Sequence, residues 1–299
     1  MPELVDDTGI RTVEVAINYL EPNGPAINRR FVSAGVEVNT GTYAPYTVHM
    51  HDARPVRDRF TLDNSGFVLL NSKSAVKDFF DKEEVDRLYP DEVVNAVQAA
   101  TGADFVAPMG WMVRTSGDLS KYKQQTVGYQ HRGGVQPPAG EAHIDTSPQR
   151  ADMNARALYE RVRPGGPGYR RFIYSSFWRA FSEPPQDTPL AVCEFASVRP
   201  DEGVENVLMV VDRIPEGEAL FAAVEGEEKL PAASIFHYSP AHRWWYFSNM
   251  TRDEALLLKF YDSDHSVAWR TMHTAFRDPS FPNAKTRASV EFRSVAFFE

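Results

Sequence analysis

The spacing of hydrophobic residues changes along the chain, from a period of two to a helical period and back. Residues 11–20 alternate apolar and polar side chains, which is typical of a half-buried β-strand. Helical spacing follows and predicts one helix over 73–86 and a second over 91–102, ending at a Thr-Gly break. The strand pattern returns at 105–113. The helices of this protein are therefore expected mainly in its first half.

Strands dominate the remaining sequence. A Gly/Pro-rich loop at 131–140 precedes a short amphipathic helix over 149–162. Residues 251–254 have the spacing of a capping box and predict a helix that reaches about residue 261. Further short apolar runs are predicted strands: 36–38, 46–50, 67–70, 172–181, 190–197, 207–211, 244–247 and 290–298. The pattern predicts a mainly β (α+β) fold, a sandwich or barrel with N-terminal helices packed on it.

The composition is that of a globular protein. Of the 299 residues, 42% are hydrophobic and 24% are charged, which excludes disorder over most of the length. A chain of this length is consistent with one elaborated domain or with two. No apolar run reaches the roughly 18–20 residues that cross a bilayer. The acidic N-terminus also lacks the apolar stretch of a secretory signal.

Charge and cysteine content narrow the functional classes further. There are 32 Lys and Arg against 41 Asp and Glu, a net charge of −9, so nucleic acid is not an expected partner. The single cysteine, Cys193, excludes an intramolecular disulfide and a cysteine-based zinc site. We therefore expect a soluble cytoplasmic protein with no membrane partner.

The sharpest chemical signal is the sequence Glu-Ala-His143-Ile-Asp145 after the Gly/Pro loop. On a strand, residues two apart point to one face, so this imidazole and this carboxylate would converge. With a second histidine they would form the two-His-one-carboxylate set that binds Fe(II) and leaves positions open for oxygen chemistry. Alone, the motif also fits a polar strand end at the surface. The candidates for the second histidine are His237, His242, His265 and His273.

A second polar pattern lies near the C-terminus. If residues 287–293 form a strand, Arg287, Ser289, Glu291 and Arg293 share one face, and the apolar residues between them share the other. A guanidinium binds a carboxylate through two parallel hydrogen bonds, and a nearby serine adds a donor. This face therefore suits a dicarboxylate cosubstrate in a polar barrel interior. A solvent-facing edge strand is the alternative.

Seven segments in order carry a more specific signal: 143–147 (HIDTS), 177–179 (FWR), 189–194 (PLAVCE), 245–250 (WYFSNM), 258–263 (LKFYDS), 273–276 (HTAF) and 287–293 (RASVEFR). This set resembles the CmcJ/AsaB/NvfI family of fungal and bacterial secondary metabolism, which includes hydroxylases, desaturases and an endoperoxidase. The resemblance covers roughly residues 10–298. The chain departs from the family pattern at Ala180 and Glu194, where Pro and Asp are expected.

The resemblance implies a double-stranded β-helix (jelly roll, cupin-like) that uses Fe(II), 2-oxoglutarate and dioxygen. His143, Asp145 and His273 match the iron ligands. Arg287 and Ser289 match the pair that holds the distal carboxylate of 2-oxoglutarate, and Arg179 and Arg293 are alternatives for that role or for orienting the substrate. We expect a single oxygenase domain over 1–299, with N-terminal helices and flanking strands in 1–115 and the jelly-roll core in 116–299.

The implied reaction oxidises a small secondary metabolite, derived from a polyketide, terpenoid or peptide, while 2-oxoglutarate is converted to succinate and carbon dioxide. Hydroxylation, desaturation, ring formation and endoperoxidation are all open outcomes. The need for a closed pocket favours a homodimer. Two alternatives remain: a metal-dependent cupin-type isomerase or cyclase without 2-oxoglutarate turnover, and a non-catalytic accessory binding subunit.

Overall fold

The computed structural model describes residues 4–5, 9–25, 28–33, 36–122 and 134–299. The helices are α1 (Leu62–Ser65), α2 (Lys82–Thr101) and α3 (Pro148–Val162), with short 3-10 helices at Arg54–Arg59, Leu119–Lys121, Phe195–Ser197, Gly217–Leu220 and Glu227–Lys229. The strands are β1 (Leu4–Val5), β2 (Arg11–Leu20), β3 (Asn28–Ser33), β4 (Val36–Asn39), β5 (Tyr43–Asp52), β6 (Phe67–Asn71), β7 (Phe105–Thr115), β8 (Val135–Gln136), β9 (His143–Ile144), β10 (Arg171–Ala180), β11 (Leu190–Cys193), β12 (Val204–Val210), β13 (Ala232–Ile235), β14 (Trp244–Tyr246), β15 (Glu254–Asp262), β16 (His273–Ala275) and β17 (Ala288–Phe298). Of the loop predicted at 131–140, residues 131–133 lie outside the described residues.

The described strands form two sheets. The larger has eleven strands in the order β1-β2-β5-β14-β11-β16-β9-β13-β12-β3-β4, and the smaller has six in the order β6-β15-β10-β17-β7-β8. One hydrophobic cluster contains side chains from both sheets, among them Val15 and Val192 from the larger and Trp178 and Leu258 from the smaller. Apolar burial between the two sheets therefore provides the main core. This arrangement agrees with the predicted mainly β fold.

The long helix α2 covers the other face of the smaller sheet. Val85, Tyr89, Val93 and Val97 recur every four residues on one side of the helix and are fully buried. They pack in a second cluster with strand residues such as Phe177, Leu257 and Phe292. The smaller sheet is consequently buried on both faces, and the prediction of helices packed on the β core is confirmed for α2.

The structure corrects the prediction of two helices over 73–86 and 91–102. A single helix begins after Asp81, whose side chain accepts hydrogen bonds from the backbone N–H groups of Glu83 and Glu84. Pro90 lies inside this helix. A proline there removes one backbone hydrogen bond, but the continuous apolar stripe on either side of it is buried against the sheet. Tertiary packing thus joins the two predicted segments.

The helix predicted over 251–261 is also wrong, since this segment contains β15. The spacing of a capping box is present, and the backbone N–H of Thr251 donates to Glu254 Oε2 at 3.0 Å, but the contact closes a turn before the strand. Leu256 and Leu258 enter the main core, whereas Ala255 and Leu257 enter the α2 cluster. A strand buried on both faces has a continuous apolar sequence, which periodicity does not distinguish from a buried helix.

Strands from residues 1–115 are distributed over both sheets. β5 pairs with β14 in the larger sheet, whereas β6 and β7 pair with β15 and β17 in the smaller one. The predicted division at residues 115 and 116 therefore does not coincide with a division between sheets. Within the described residues, no helix is both long and apolar enough to cross a membrane.

Candidate metal centre

Strand pairing in the larger sheet brings three predicted ligands together. β9 and β16 are neighbours, and His143 lies directly opposite His273 in the register. Asp145 follows β9 directly, and its two carboxylate oxygens each lie 3.7 Å from the Nε2 of one of these histidines. One ligand atom from each residue lies within 4.8 Å of the others, and all three residues are buried. The cluster can therefore hold one metal ion.

Backbone carbonyl groups orient both imidazole rings. His143 Nδ1 lies 2.7 Å from the carbonyl oxygen of Glu141, and His273 Nδ1 lies 3.2 Å from that of Thr271. Because a carbonyl oxygen only accepts hydrogen bonds, each Nδ1 is the protonated nitrogen. Nε2 is then the lone-pair nitrogen that faces the cluster, which is the usual arrangement for metal-binding histidines.

Burial and neighbouring charges set the protonation state that metal binding requires. Burial lowers the pKa of His143, and the adjacent His273 lowers it further, so this imidazole is neutral. Burial would raise the pKa of Asp145, but Arg293 and the two histidines outweigh it and hold this pKa well below its ordinary value. A neutral imidazole and an ionised carboxylate are the forms that bind a divalent metal.

Arg287 immediately precedes β17 and lines a pocket together with the three residues of the cluster. Its Nε donates to Ser289 Oγ at 3.0 Å, and its Nη1 donates to the carbonyl oxygen of Thr188 at 3.0 Å. Its Nη2 has no hydrogen-bond partner among the described residues. The side chain is 1% exposed, and burial lowers the pKa of Arg287 to about 9. A buried cation of this kind favours an anionic ligand.

Arg293, on the strand that follows Arg287, has different contacts. Its Nη2 lies 3.0 Å from Asp145 Oδ2 and donates to Glu291 Oε1 at 2.6 Å. The second oxygen of Glu291 accepts from Arg114 Nε at 3.0 Å. Burial alone would raise the pKa of Glu291. Arg293 and Arg114 lower it by more than burial raises it, so the pKa of Glu291 lies below its ordinary value. Arg293 thus contacts two carboxylates of the protein itself.

Arg179 is not brought to the site. It is opposite Val290 in the sheet, on the face that α2 covers. Its guanidinium donates to Tyr89 Oη on α2 and to the carbonyl oxygens of Ser72 and Arg252. These contacts use the side chain to hold α2 and the 72–81 segment against the sheet, so the structure gives no support to a role for Arg179 in binding 2-oxoglutarate.

Two cavities meet at the metal cluster. The inner one has a volume of about 20 Å³ and is lined by Arg287, Trp178 and Ser176. The outer one has a volume of about 410 Å³, and its apolar wall includes Leu208 and Ile235. Both cavities share Arg114, Ala139, His143 and Asp145 as lining residues. A ligand in the outer cavity is therefore adjacent to the metal ligands.

Proteins similar to this chain in sequence and fold are named as hydroxylases, desaturases and dioxygenases. The chain is 31% identical over 300 residues to the hydroxylase/desaturase efuI of Hormonema carpetanum, covering 96% of each chain. It is 28% identical to the Fe(II)/2-oxoglutarate-dependent dioxygenase nvfI of Aspergillus novofumigatus, covering 85% of this chain and 84% of that one. A family model described as "Oxidoreductase/YMDC permease-like domain" matches residues 17–297. The solved structure of the iron and alpha-ketoglutarate-dependent endoperoxidase NvfI superposes with a TM-score of 0.76 at 25% identity, covering 96% of this chain and 98% of that one.

The chain belongs to the CmcJ/AsaB/NvfI family of Fe(II)/2-oxoglutarate-dependent oxygenases. This confirms the predicted family, jelly-roll fold class and oxidoreductase class, and with them iron and 2-oxoglutarate as the cofactors and a small molecule and dioxygen as the substrates. The donor set of two imidazoles and one carboxylate found here fits iron of this class.

The other candidate histidines lie elsewhere in this oxygenase. His237 contacts the carbonyl oxygen of Leu20, and His242 lies between Tyr19 and Glu202. His265 stacks on Trp269. Among the candidates, only His273 lies opposite His143 in the larger sheet.

Arg114 is the site residue that the sequence reading did not single out. It is the penultimate residue of β7, lines both cavities and forms an ion pair with Glu291. In the sequence, the only local indication of this role is the position of Arg114 one residue before the end of a strand. The pairing of β7 with β17, which places Arg114 opposite Ser289, brings it to the site.

Proposed function

We propose that this oxygenase oxidises a small secondary metabolite bound in the outer cavity. His143, Asp145 and His273 hold Fe(II) in the proposal, and Arg287 with Ser289 binds the distal carboxylate of 2-oxoglutarate. The observation that carries the assignment is the position of Arg287. It is a buried guanidinium without a carboxylate partner among the described residues, in the same pocket as the metal cluster.

The protein residues have distinct tasks in this proposal. When bound, iron and 2-oxoglutarate together supply the oxidising power for dioxygen chemistry. The two histidines and Asp145 hold the metal, and their own hydrogen bonds fix the direction of each ligand. Arg287 supplies donors for the cosubstrate carboxylate, and Trp178 packs 5.3 Å below its guanidinium. No side chain is required as a general base.

The walls of the outer cavity support a substrate with an apolar scaffold that carries polar groups. Prolines and aliphatic residues form much of the surface, including Pro137, Pro138 and Leu208. Polar side chains line the cavity on two sides: Arg30, Glu37 and Asn206 on β3, β4 and β12, and Arg114, Gln136 and Glu141 nearer the metal cluster. A volume of about 410 Å³ is in the range of small-molecule sites. This surface suits a terpenoid- or polyketide-derived scaffold better than a peptide-derived one with many charged groups.

The test is binding of 2-oxoglutarate to the anaerobic Fe(II)-loaded protein. Chelation of iron by the keto-acid end gives a weak visible absorption band, and titration of this band measures the dissociation constant. We expect Arg287→Lys to weaken 2-oxoglutarate binding by roughly tenfold or more, because lysine keeps the charge but loses the two-pronged donor geometry.

Arg179→Lys is the matched control. Both arginines are almost completely buried, Arg179 on β10 and Arg287 directly before the neighbouring strand β17, but they lie on opposite faces of the sheet. We expect Arg179→Lys to lower thermal stability and to leave the 2-oxoglutarate dissociation constant unchanged. An iron-loaded wild-type protein without the band would contradict the use of 2-oxoglutarate. Equal affinity of wild type and Arg287→Lys would contradict the assignment of Arg287.

Assembly and location follow the same proposal. We infer that the protein is cytoplasmic and that it forms a homodimer in which a second copy of the chain covers the outer cavity. Sedimentation velocity of the holoenzyme at micromolar concentration measures the mass directly. A monomer across the concentration range would contradict the dimer and leave the metal site assignment unaffected.

A further inference from the structure

Four charged side chains form a continuous row from the outer cavity to the metal cluster. Arg114, Glu291, Arg293 and Asp145 alternate in charge, and each is in contact with the next. Arg114 Nη1 also donates to the carbonyl oxygen of Pro137 at 2.9 Å, in the wall of the outer cavity. The inner three residues are each 8% exposed or less. Solvent therefore screens these charges little.

The end of the row acts on one particular oxygen of the metal ligand. Each oxygen of Asp145 lies 3.7 Å from one histidine Nε2, but Oδ2 also lies 3.0 Å from Arg293 Nη2. A charge-assisted hydrogen bond to Oδ2 makes that oxygen a poorer metal ligand. Oδ1 is then the preferred donor. A carboxylate that binds through one oxygen leaves one more coordination position for the cosubstrate and dioxygen.

The same arrangement has a cost unless Arg293 is neutralised. A cation in contact with Asp145 repels a divalent metal bound by the same carboxylate. Glu291 compensates it, because Nε and Nη2 of Arg293 both donate to Glu291 Oε1, at 3.0 and 2.6 Å. Arg114 holds the other oxygen of Glu291. Glu291 therefore holds the Arg293 guanidinium in place, and its position does not depend on Asp145.

We propose that Glu291 is a positioning residue for the metal site, acting through Arg293 to direct Asp145 Oδ1 to the metal and to cancel the charge of Arg293. The inference rests on the proposed function only in taking Asp145 as a ligand. It predicts that removing the charge of Glu291 weakens metal binding, although Glu291 itself is not a metal ligand.

The experiment measures Co(II) binding to the metal-free protein, with Glu291→Gln compared with wild type. We expect Co(II) affinity to fall by roughly 10- to 100-fold, which is the usual effect of removing a residue that orients a metal ligand. Glu254→Gln is the matched control. Glu254 is also a buried glutamate of the smaller sheet, 8% exposed against 7% for Glu291, and it also pairs with arginine, through Arg54. It lies outside both cavities, so its variant should keep the Co(II) affinity of wild type.

A double variant separates positioning from a general loss of stability. In Glu291→Gln/Arg293→Met, the cation in contact with Asp145 is removed, so Co(II) affinity should recover by roughly tenfold relative to Glu291→Gln. With Oδ2 of Asp145 released, the visible Co(II) spectrum should become weaker, because its intensity falls as the coordination number rises. A double variant that binds no better than Glu291→Gln would overturn the charge argument. Wild-type affinity and spectrum in Glu291→Gln would overturn the inference as a whole.

Failure of the proposed function has a different signature. If wild-type protein does not bind Co(II), or if Asp145→Ala binds it as well as wild type does, the ligand assignment fails and the inference fails with it. If wild type binds and Asp145→Ala does not, but Glu291→Gln is unchanged, only the inference fails.

Discussion

Replacing Arg287 by methionine should remove 2-oxoglutarate binding at almost no cost to the stability of the cofactor-free protein. Burial lowers the pKa of Arg287 to about 9. Since one pKa unit is worth about 1.4 kcal/mol, holding this charge in the protein costs on the order of 5 kcal/mol relative to water. The guanidinium remains protonated at neutral pH, so this free energy destabilises the folded protein when no 2-oxoglutarate is bound.

The contacts of Arg287 offset most of that cost. Its hydrogen bonds to Ser289 and to the Thr188 carbonyl contribute roughly 1 kcal/mol each. Its contact with the Trp178 ring at 5.3 Å contributes about 2 kcal/mol when desolvated. The net effect of Arg287→Met is therefore about 1 kcal/mol in either direction. That corresponds to a change in Tm of roughly 2–4 °C for a protein of this size.

Arg293 is expected to respond to the same substitution in the opposite way. Arg293→Met removes the partner of Glu291 and Asp145 in the same pocket, and breaking a buried ion pair in this way costs about 3–5 kcal/mol. Both variants are prepared metal-free and heated in a differential scanning calorimeter, first alone and then with added Mn(II) and 2-oxoglutarate. The first scan measures the change in stability, and the second measures the stabilisation by ligand binding. We expect Arg287→Met to keep its Tm and to lose the rise in Tm produced by 2-oxoglutarate. A fall of Tm by more than about 8 °C in Arg287→Met would refute the reasoning, because the guanidinium would then be a structural element.

Three further predictions follow from the site and its supports. His143→Ala and Asp145→Ala should each abolish turnover and bound iron while leaving the far-UV circular dichroism spectrum unchanged, and full turnover in either variant would contradict the ligand assignment. The folded-state pKa of Glu291 lies below its unfolded value, so the stability that Glu291 contributes is fully present above the unfolded pKa and is lost as the pH falls through the folded pKa. The urea midpoint of wild type should therefore drop more steeply on acidification than that of Glu291→Gln. Parallel curves for the two proteins would contradict this contribution of Glu291. Gly66→Ala should lower the free energy of unfolding in urea by about 1–3 kcal/mol, because Gly66 has φ 83° and an added Cβ would lie 2.9 Å from the Arg270 carbonyl oxygen. An unchanged urea midpoint would show that the turn relaxes.

Predictions held where the two faces of a strand differ in polarity. In the segment 287–293, Arg287 and Glu291 line the pocket, whereas Val290 and Phe292 enter the α2 cluster, as the alternation predicts. The same rule placed His143 and Asp145 together. The amphipathic pattern over 149–162 was also sufficient, and α3 spans Pro148–Val162.

Predictions failed where both faces of an element are buried. β10 is buried along almost its whole length, so the sequence around Trp178 and Arg179 did not indicate which of the two faces the cavity. Trp178 faces it, and Arg179 lies under α2. β15 failed for the same reason, since an apolar run buried on both sides has no period to read.

The sequence by itself determined the local chemistry of this oxygenase: the His-x-Asp pair, the polar face that carries Arg287, and the order of motifs that identifies the family. These features depend on residues a few positions apart, whose relative directions follow from strand geometry. The tertiary structure decided which distant groups meet. The pairing of β16 with β9 selects His273 among the histidines, and the pairing of β7 with β17 brings Arg114 to Glu291. Those choices depend on strand order within a sheet, which no local periodicity encodes because the energy that sets it comes from burial of the whole core.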